Sequence, residues 1–208
     1  MCSMLPPMVS ARACRRPALG RALPTFGACR SGVTAIEFAI AGPILIIAML
    51  EILQGGLFLY SSAAVERATV AAARAIQVGS LDANKAGTAA SFREKVLCPA
   101  LMPGMPCSNV VTNLQRADMD GSGYGAFVKP DLSGLVAVSM NNSQTSYCPA
   151  AAGAYQYLQV FYAIPLFSPI WRSTVGQSWN GQTVAFVRAA AAFRNEPYTG
   201  GSFVGTGC

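Results

Sequence analysis

Histidine is absent from all 208 residues of this chain. Without it, a Ser-His-Asp or Cys-His nucleophile system cannot form, and no zinc site can use imidazole ligands. The side chain that enzymes use most often as a general base is missing as well. We therefore expect a protein that is not an enzyme, with no catalytic residues, no cofactor and no metal site.

Charged residues are scarce, at 12% of the chain, which is about half the usual share in a soluble protein. Five of the fifteen basic residues lie within the first 31 positions, where no acidic residue accompanies them. The other ten basic residues are balanced by nine acidic ones, so no basic stripe for phosphates is expected and nucleic acid is not a predicted partner. The five early basic residues are Arg12, Arg15, Arg16, Arg21 and Arg30.

A long apolar run extends from Phe38 to Tyr60. As a helix with a rise of about 1.5 Å per residue, it is long enough to cross a hydrocarbon core of roughly 30 Å. A cleaved secretory signal ending near Ser62-Ala63-Ala64 is the competing interpretation, but the run is too long and continues without a break. Because arginines precede the run, we predict a single-pass protein of the bacterial inner membrane whose C-terminal domain is periplasmic.

Two acidic residues, Glu37 and Glu51, lie at the start of this run and inside it, where an ionised carboxylate is costly. For Glu51 we favour a partner on another helix or protonation. Gly32 stands five residues before Glu37 and directly after the basic segment, which resembles the processing site of type IV prepilins. The resemblance implies that a prepilin peptidase cuts between Gly32 and Val33. Glu37 would then compensate the new α-ammonium of Val33 in a low-dielectric setting, whereas snorkelling at the cytoplasmic interface is the alternative.

The stretch Glu37-Phe38-Ala39-Ile40-Ala41-Gly42-Pro43, followed by aliphatic residues, resembles the TadE/TadG-like family of tight-adherence (Flp-type) pilus assembly. Members typically have a Glu-Phe-Ala start and a proline six residues after the glutamate, where Pro43 stands. Gln54 departs from the family, which often has a second glutamate before a tyrosine such as Tyr60, and Glu51 is the candidate to replace that acid. The resemblance covers about residues 30–78, and a shorter one covers Phe193 to Tyr198.

The resemblance implies a TadE-like minor pilin or pseudopilin, made as a precursor cleaved after Gly32, that takes part in assembling pili for cell adhesion. Its partners would be the prepilin peptidase, the inner membrane and other pilin or pseudopilin subunits, which it would contact through the N-terminal helix. One alternative is an uncleaved, membrane-anchored periplasmic scaffold subunit of the same secretion machinery, and another is an anchored periplasmic enzyme. Small residues allow helices to approach closely in lipid. The small residues that we expect to serve this role are Ala39, Ala41, Gly42, Gly55 and Gly56.

The predicted fold class is α+β, with a long N-terminal transmembrane helix that continues into a periplasmic domain containing a small antiparallel sheet, as in pilins. We expect a basic cytoplasmic leader at 1–32, a helix at 33–78 that spans the membrane at about 38–60, and an extracytoplasmic α+β domain at 79–208. Pro43 should kink or locally melt the helix, because proline lacks the N–H that continues the hydrogen-bond ladder.

Helical spacing places Val65, Ala72 and Ile76 on one face, and Gly79-Ser80 ends the first helix. A second helix is expected from Ala83 to Val96, with Asp82 as its cap. Later segments rich in Val, Tyr and Phe alternate with a period of two and predict strands. These are Leu135 to Met140, Tyr155 to Ile164, Thr183 to Phe193 and, as a possible fourth, Asn109 to Gln115.

Four cysteines follow the membrane segment: Cys98, Cys107, Cys148 and Cys208. An even number in an oxidising compartment favours disulfides, and three pairings are possible. We favour Cys98–Cys107, across a proline-stiffened loop, and Cys148–Cys208, which would tie down a glycine-rich tail. Four reduced thiols are the alternative. The stretch 118–123 faintly resembles a calcium loop, but no later glutamate stands at the required distance, so a polar turn is favoured.

Overall fold

The computed structural model describes residues 33–117, 129, 131–133, 138–143 and 145–197. The predicted leader, Gly32, the weak calcium-like stretch, Cys208 and the C-terminal tail lie outside these ranges. The chain divides into two compact units, one ending at Ala48 and the other beginning at Met49, so the boundary falls within the first helix.

Helix α1 extends over Val33–Gln77. It is long and apolar enough to cross a membrane, and it confirms the long N-terminal helix expected from the sequence. The helix passes through Pro43 without interruption, so local melting does not occur and the predicted kink stays a prediction. The helix ends at Gln77, and the chain turns away at Gly79, whose φ of 65° is accessible to glycine and whose N–H donates to Ile76 O at 3.0 Å.

The predicted second helix over Ala83 to Val96 is wrong as a single element. The structure has α2 (Ala83–Ala86), α3 (Ala89–Phe92), a π-helical turn over Arg93–Leu97 and α4 (Cys98–Ala100). Asp82 caps α2, as expected, by accepting from the Lys85 N–H at 2.8 Å. The break occurs because Thr88 forms a capping box with Ser91 and begins a new helix there.

Four strands form one antiparallel sheet, which confirms the α+β fold. They are β1 (Val110–Ala117), β2 (Tyr155–Pro165), β3 (Gln177–Trp179) and β4 (Gln182–Arg194), in the spatial order β1-β2-β4-β3. In the register, Leu158 of β2 lies between Leu114 of β1 and Ala191 of β4. The free edge of β1 is partly occupied, since Leu114 N–H donates to Ser146 O at 2.9 Å.

The sheet and the outer part of α1 share one hydrophobic core. Val65, Ala72 and Ile76 are buried in it, on the helix face that the sequence predicts. Small side chains recur along this face, and Ala64 and Ala68 are nearly inaccessible, which permits close packing. Alternate residues of the strands face the same core, namely Val110, Leu114, Leu158, Val160, Tyr162, Ile164 and Val187.

Strand β3 was not predicted, and it is joined to β4 by a turn at Asn180-Gly181. Both turn residues have positive φ, 47° and 77°, which is the geometry of a two-residue hairpin. The predicted strand Leu135 to Met140 lies largely outside the described residues, and its last three residues, 138–140, are not in a strand.

Candidate functional site

The first part of α1, from Val33 to Ala48, carries the residues to which the sequence assigns assembly. Glu37 is exposed there, and so are the large apolar side chains around it, with Phe38 at 77%. Gly42 is buried beneath the Phe38 ring, which would lie 3.7 Å from an added Cβ. Within this unit the described residues leave a helix surface that is apolar and uncovered.

The predicted cleavage residues can be placed only in part. Gly32 lies outside the described residues, and Val33 is the first residue of α1. Glu37 follows one helical turn later, which is the spacing at which two residues of a helix share a face. The proposed pairing of the Val33 α-ammonium with Glu37 therefore remains a prediction with compatible helix geometry.

Glu51 is bound by the start of another helix, which agrees with one of the two interpretations favoured for it, although the sequence did not identify the partner residues. Its carboxylate accepts a short hydrogen bond from the Ser168 hydroxyl and a longer one, 3.4 Å, from the Ile170 N–H. Ser168 is fully buried and is also the N-cap of α5 (Pro169–Thr174), where its oxygen accepts from the Trp171 N–H at 3.3 Å. The acid inside the apolar run is thus satisfied by the start of a short helix.

Gln54, where TadE-like sequences often have a glutamate, contributes to the same contact. It is fully buried, and its Oε1 accepts from the Phe167 N–H at 3.1 Å. One turn further along α1, Phe58 packs against Trp171 with ring centroids 5.3 Å apart. The same indole lies close to Gly55, where an added Cβ would stand 3.8 Å from it, at an ordinary van der Waals distance. Together these contacts fix α5 and its preceding loop on α1.

Sequence reasoning missed this contact because its two halves are more than a hundred residues apart. A local signal was available, since Ser168-Pro169 is a typical N-cap and N1 pair at the start of a helix. Gly176 closes the segment: an added Cβ would stand 2.3 Å from Arg172 O and 2.7 Å from the Thr183 side chain. Only glycine fits where the chain turns from α5 into β3.

The C-terminal motif that begins at Phe193 has a structural role at the far end of α1. Glu196 N–H donates to Gln77 O at 2.8 Å and so satisfies a carbonyl in the last turn of the helix. The buried Asn195 amide donates to the carbonyls of Ala150 and Ala151 at 2.8 and 3.0 Å. The motif therefore joins the end of β4 to the end of α1.

Cys98 and Cys107 form a disulfide with their Cα atoms 5.5 Å apart, which confirms this predicted pair. Cys148 is also disulfide-bonded. Since the other two described cysteines pair with each other, its partner lies outside the described residues, and Cys148–Cys208 stays a prediction.

The comparisons with known proteins identify the N-terminal region. Residues 32–74 match the family of TadE-like proteins, so the resemblance based on the residues around Glu37 and Pro43 is confirmed for this segment. The match begins at Gly32 and extends into the part of α1 that packs in the core. No curated protein and no solved structure matches the chain.

Proposed function

We propose that this chain, with its TadE-like N-terminal segment, is a minor pilin or pseudopilin that takes part in assembling Flp-type pili. It would be made as an inner-membrane precursor and cleaved after Gly32. The observation that carries the proposal is the coincidence of the TadE-like match at 32–74 with a single helix that could cross a membrane. The four-stranded domain that follows the helix is compatible with a pilin-like subunit.

The inner membrane and the periplasm are part of the proposal. Arginines before α1 favour a cytoplasmic N-terminus, which places the sheet domain on the opposite side. The Cys98–Cys107 disulfide supports this orientation, because the periplasm permits disulfides and the cytoplasm disfavours them.

The proposed mechanism is association of helices rather than catalysis. The outer part of α1 is committed to its own domain, since Val65, Ala68 and Ala72 are buried in it. The part from Thr34 to Ala48 keeps its large apolar side chains exposed, Ile40 and Ile44 at 65% each. Such a surface can pack against lipid first and against helices of other pilin subunits during assembly.

Processing by a prepilin peptidase is the central test of the proposal. When the chain is expressed together with such a peptidase, mass spectrometry should find a mature N-terminus at Val33. Gly32→Leu should block cutting, because the peptidase requires a small residue before the cut. Gly32→Ala should be partly tolerated. Gly27→Leu is the matched control in the same leader and should be processed normally.

An intact chain beginning at Met1 in the presence of an active peptidase would remove the main support for the pilin role. The result would instead favour the uncleaved, membrane-anchored scaffold subunit. Cutting of the Gly32→Leu variant at the wild-type position would show that another protease is responsible.

A further inference from the structure

The segment from Leu166 to Val175 carries large apolar side chains that the fold of the domain leaves exposed. Phe167, Ile170 and Val175 are 44%, 52% and 45% exposed, although each is a large hydrophobic residue. Arg172 is the only charged residue between Pro165 and Gly176, and it is exposed. A cluster of exposed apolar residues on a short surface helix indicates contact with another apolar phase.

The polar groups at the start of this segment are turned towards α1. Ser168 and the Ile170 N–H donate to Glu51, and the Phe167 N–H donates to Gln54. The backbone at the start of α5 therefore needs no water. The exposed side chains of the segment include the apolar Phe167, Ile170 and Val175 together with Arg172 and two hydroxyl residues, Ser173 and Thr174, whose hydroxyls donate to the Ile170 carbonyl.

The place on α1 at which the segment is held indicates that the apolar phase is the lipid bilayer. Glu51, Gln54 and Phe58, which hold the segment, all belong to the apolar run Phe38–Tyr60. On the same unit, the neighbouring helix residues are exposed as well: Ile52 at 75%, Leu53 at 56% and Leu59 at 70%. A segment fixed beside residues that lie in a bilayer must itself be at bilayer depth or at the interface.

We propose that residues 166–175 form an interfacial anchor that inserts Phe167, Ile170 and Val175 into the outer leaflet of the membrane. The inference rests on the membrane anchoring in the proposed function and adds a second point of lipid contact to it. Trp171 and Tyr60 are of the residue types enriched at bilayer interfaces, and Arg172 can extend to lipid phosphates. The sheet domain is thereby held against the bilayer surface instead of being tethered only by α1.

A second copy of the chain is the competing occupant of this surface. The lipid interface is favoured because the segment is held by a helix that could cross a membrane and whose own apolar residues near these contacts are exposed. The segment also has no acidic residue that could pair with its own Arg172 in a copy. A positive, acid-free apolar surface suits an interface with anionic lipids.

Tryptophan fluorescence can test the anchor, because the chain has only two tryptophans, Trp171 and Trp179. The full chain would be reconstituted in vesicles of phosphatidylcholine and phosphatidylglycerol, with and without bromine on the acyl chains. In the Trp179→Phe variant, the emission of Trp171 should be strongly quenched by brominated lipid and weakly by aqueous iodide. In the Trp171→Phe variant, the emission comes from Trp179, whose indole N–H donates to Met140 O. This emission should be quenched more by aqueous iodide than by brominated lipid.

Ile170→Asp in the Trp179→Phe background should remove most of the quenching by brominated lipid. Val70→Asp is the matched control, because it places the same charge on an exposed aliphatic position of α1, 58% accessible, that lies beyond the apolar run. It should leave the quenching unchanged. Circular dichroism of each variant verifies that the fold is kept.

Three results would overturn the anchor, and they are distinguishable. If the chain fails to float with vesicles after carbonate washing, both the anchor and the proposed membrane protein are wrong. If the chain integrates but Trp171 is quenched by iodide and not by brominated lipid, the anchor alone is wrong. If Trp171 is shielded from both quenchers only at a high ratio of protein to lipid, a second copy covers the surface.

Discussion

At the scale of single residues, three polar side chains within one apolar helix have different surroundings. Glu37 is exposed, Glu51 is bound to the Ser168 hydroxyl, and Gln54 is buried against the Phe167 N–H. An ionised group in an apolar phase needs a partner, and the fold supplies one for Glu51. For Glu37, the described part of the chain shows no such bond, which leaves this carboxylate available for the α-ammonium created by cleavage.

A role of Glu37 in pilus assembly can be distinguished by mutation from the effect of removing any exposed acid of α1. We expect Glu37→Ala to insert into the membrane normally, because the apolar helix is unchanged, but to reduce the number of pili. The Val33 ammonium would lose its counter-charge in a low-dielectric setting. Pili are counted by electron microscopy in a host that carries the machinery, and membrane insertion is followed by fractionation.

Glu66→Ala is the matched control for this experiment, since Glu66 is an exposed acid on the same helix after the apolar run. It should assemble normally. A wild-type number of pili in the Glu37→Ala strain would return Glu37 to a snorkelling role at the interface.

At the scale of secondary-structure elements, Tyr147 joins two parts of the domain that are distant in sequence. Its hydroxyl donates to Ala86 O at 2.7 Å, and its ring lies 5.6 Å from that of Phe92. Its neighbour Ser146 accepts from the Leu114 N–H at the edge of β1. Tyr147 thus links the broken helices α2 and α3 to the edge of the sheet, in addition to their core contacts through Ala86 and Phe92. Burial raises the pKa of its phenol well above the usual 10.0.

The raised pKa of Tyr147 predicts a loss of stability in alkali. A folded state that holds this proton more tightly than the unfolded chain is stabilised below about pH 10, and the free energy of unfolding should fall as pH rises above it. Tyr147→Phe should reduce this slope and should lower stability at neutral pH by about 1–2 kcal/mol through the lost hydrogen bond. Denaturant unfolding across pH measures both effects.

Tyr60→Phe, which alters an exposed tyrosine of α1, is the control and should keep the wild-type profile. In Tyr147→Phe, the free energy of unfolding should still fall somewhat in alkali, since burial raises the pKa of Tyr162 as well. An unchanged slope in Tyr147→Phe would show that the phenol does not titrate with unfolding.

At the scale of the whole molecule, a few cross-links supplement the hydrophobic core of the domain from Met49 onward. The Cys98–Cys107 disulfide closes the loop after α4, and Glu196 binds the last turn of α1. The Arg74–Glu196 pair, at 3.9 Å and largely exposed, adds little, because solvent screens it. The covalent link is therefore the stronger constraint.

Removal of this disulfide tests its contribution. The double variant Cys98→Ser/Cys107→Ser should lower the free energy of unfolding by roughly 2 kcal/mol, mainly because the unfolded chain gains freedom. The effect should be at the low end for a loop of this size, since Pro99, Pro103 and Pro106 already restrict the chain. Equilibrium unfolding in guanidinium measures it, and Ser108→Ala, an exposed neighbour, should change nothing measurable. Equal stability of the double variant and the wild type would contradict the assigned role.

Local patterns in the sequence determined the helix, most of the sheet and the family. The run Phe38–Tyr60, the alternation in β2 and β4, and the residues around Glu37 depend on neighbours within a few positions, which sequence spacing reports directly. The candidate assembly residues are visible for the same reason. Strand β3, only three residues long, was too short to show a period.

Only the tertiary structure decided the partner of Glu51, the division of the second helix at Thr88 and the position of the segment after Leu166. Glu51 and Ser168 meet because the sheet returns the chain to α1, and no local spacing encodes such a return. Likewise, Phe167 and Ile170 are ordinary hydrophobic residues in the sequence. The fold leaves them exposed beside an apolar helix because the hydrogen-bonding groups around them bind α1, and this arrangement directs their side chains outward.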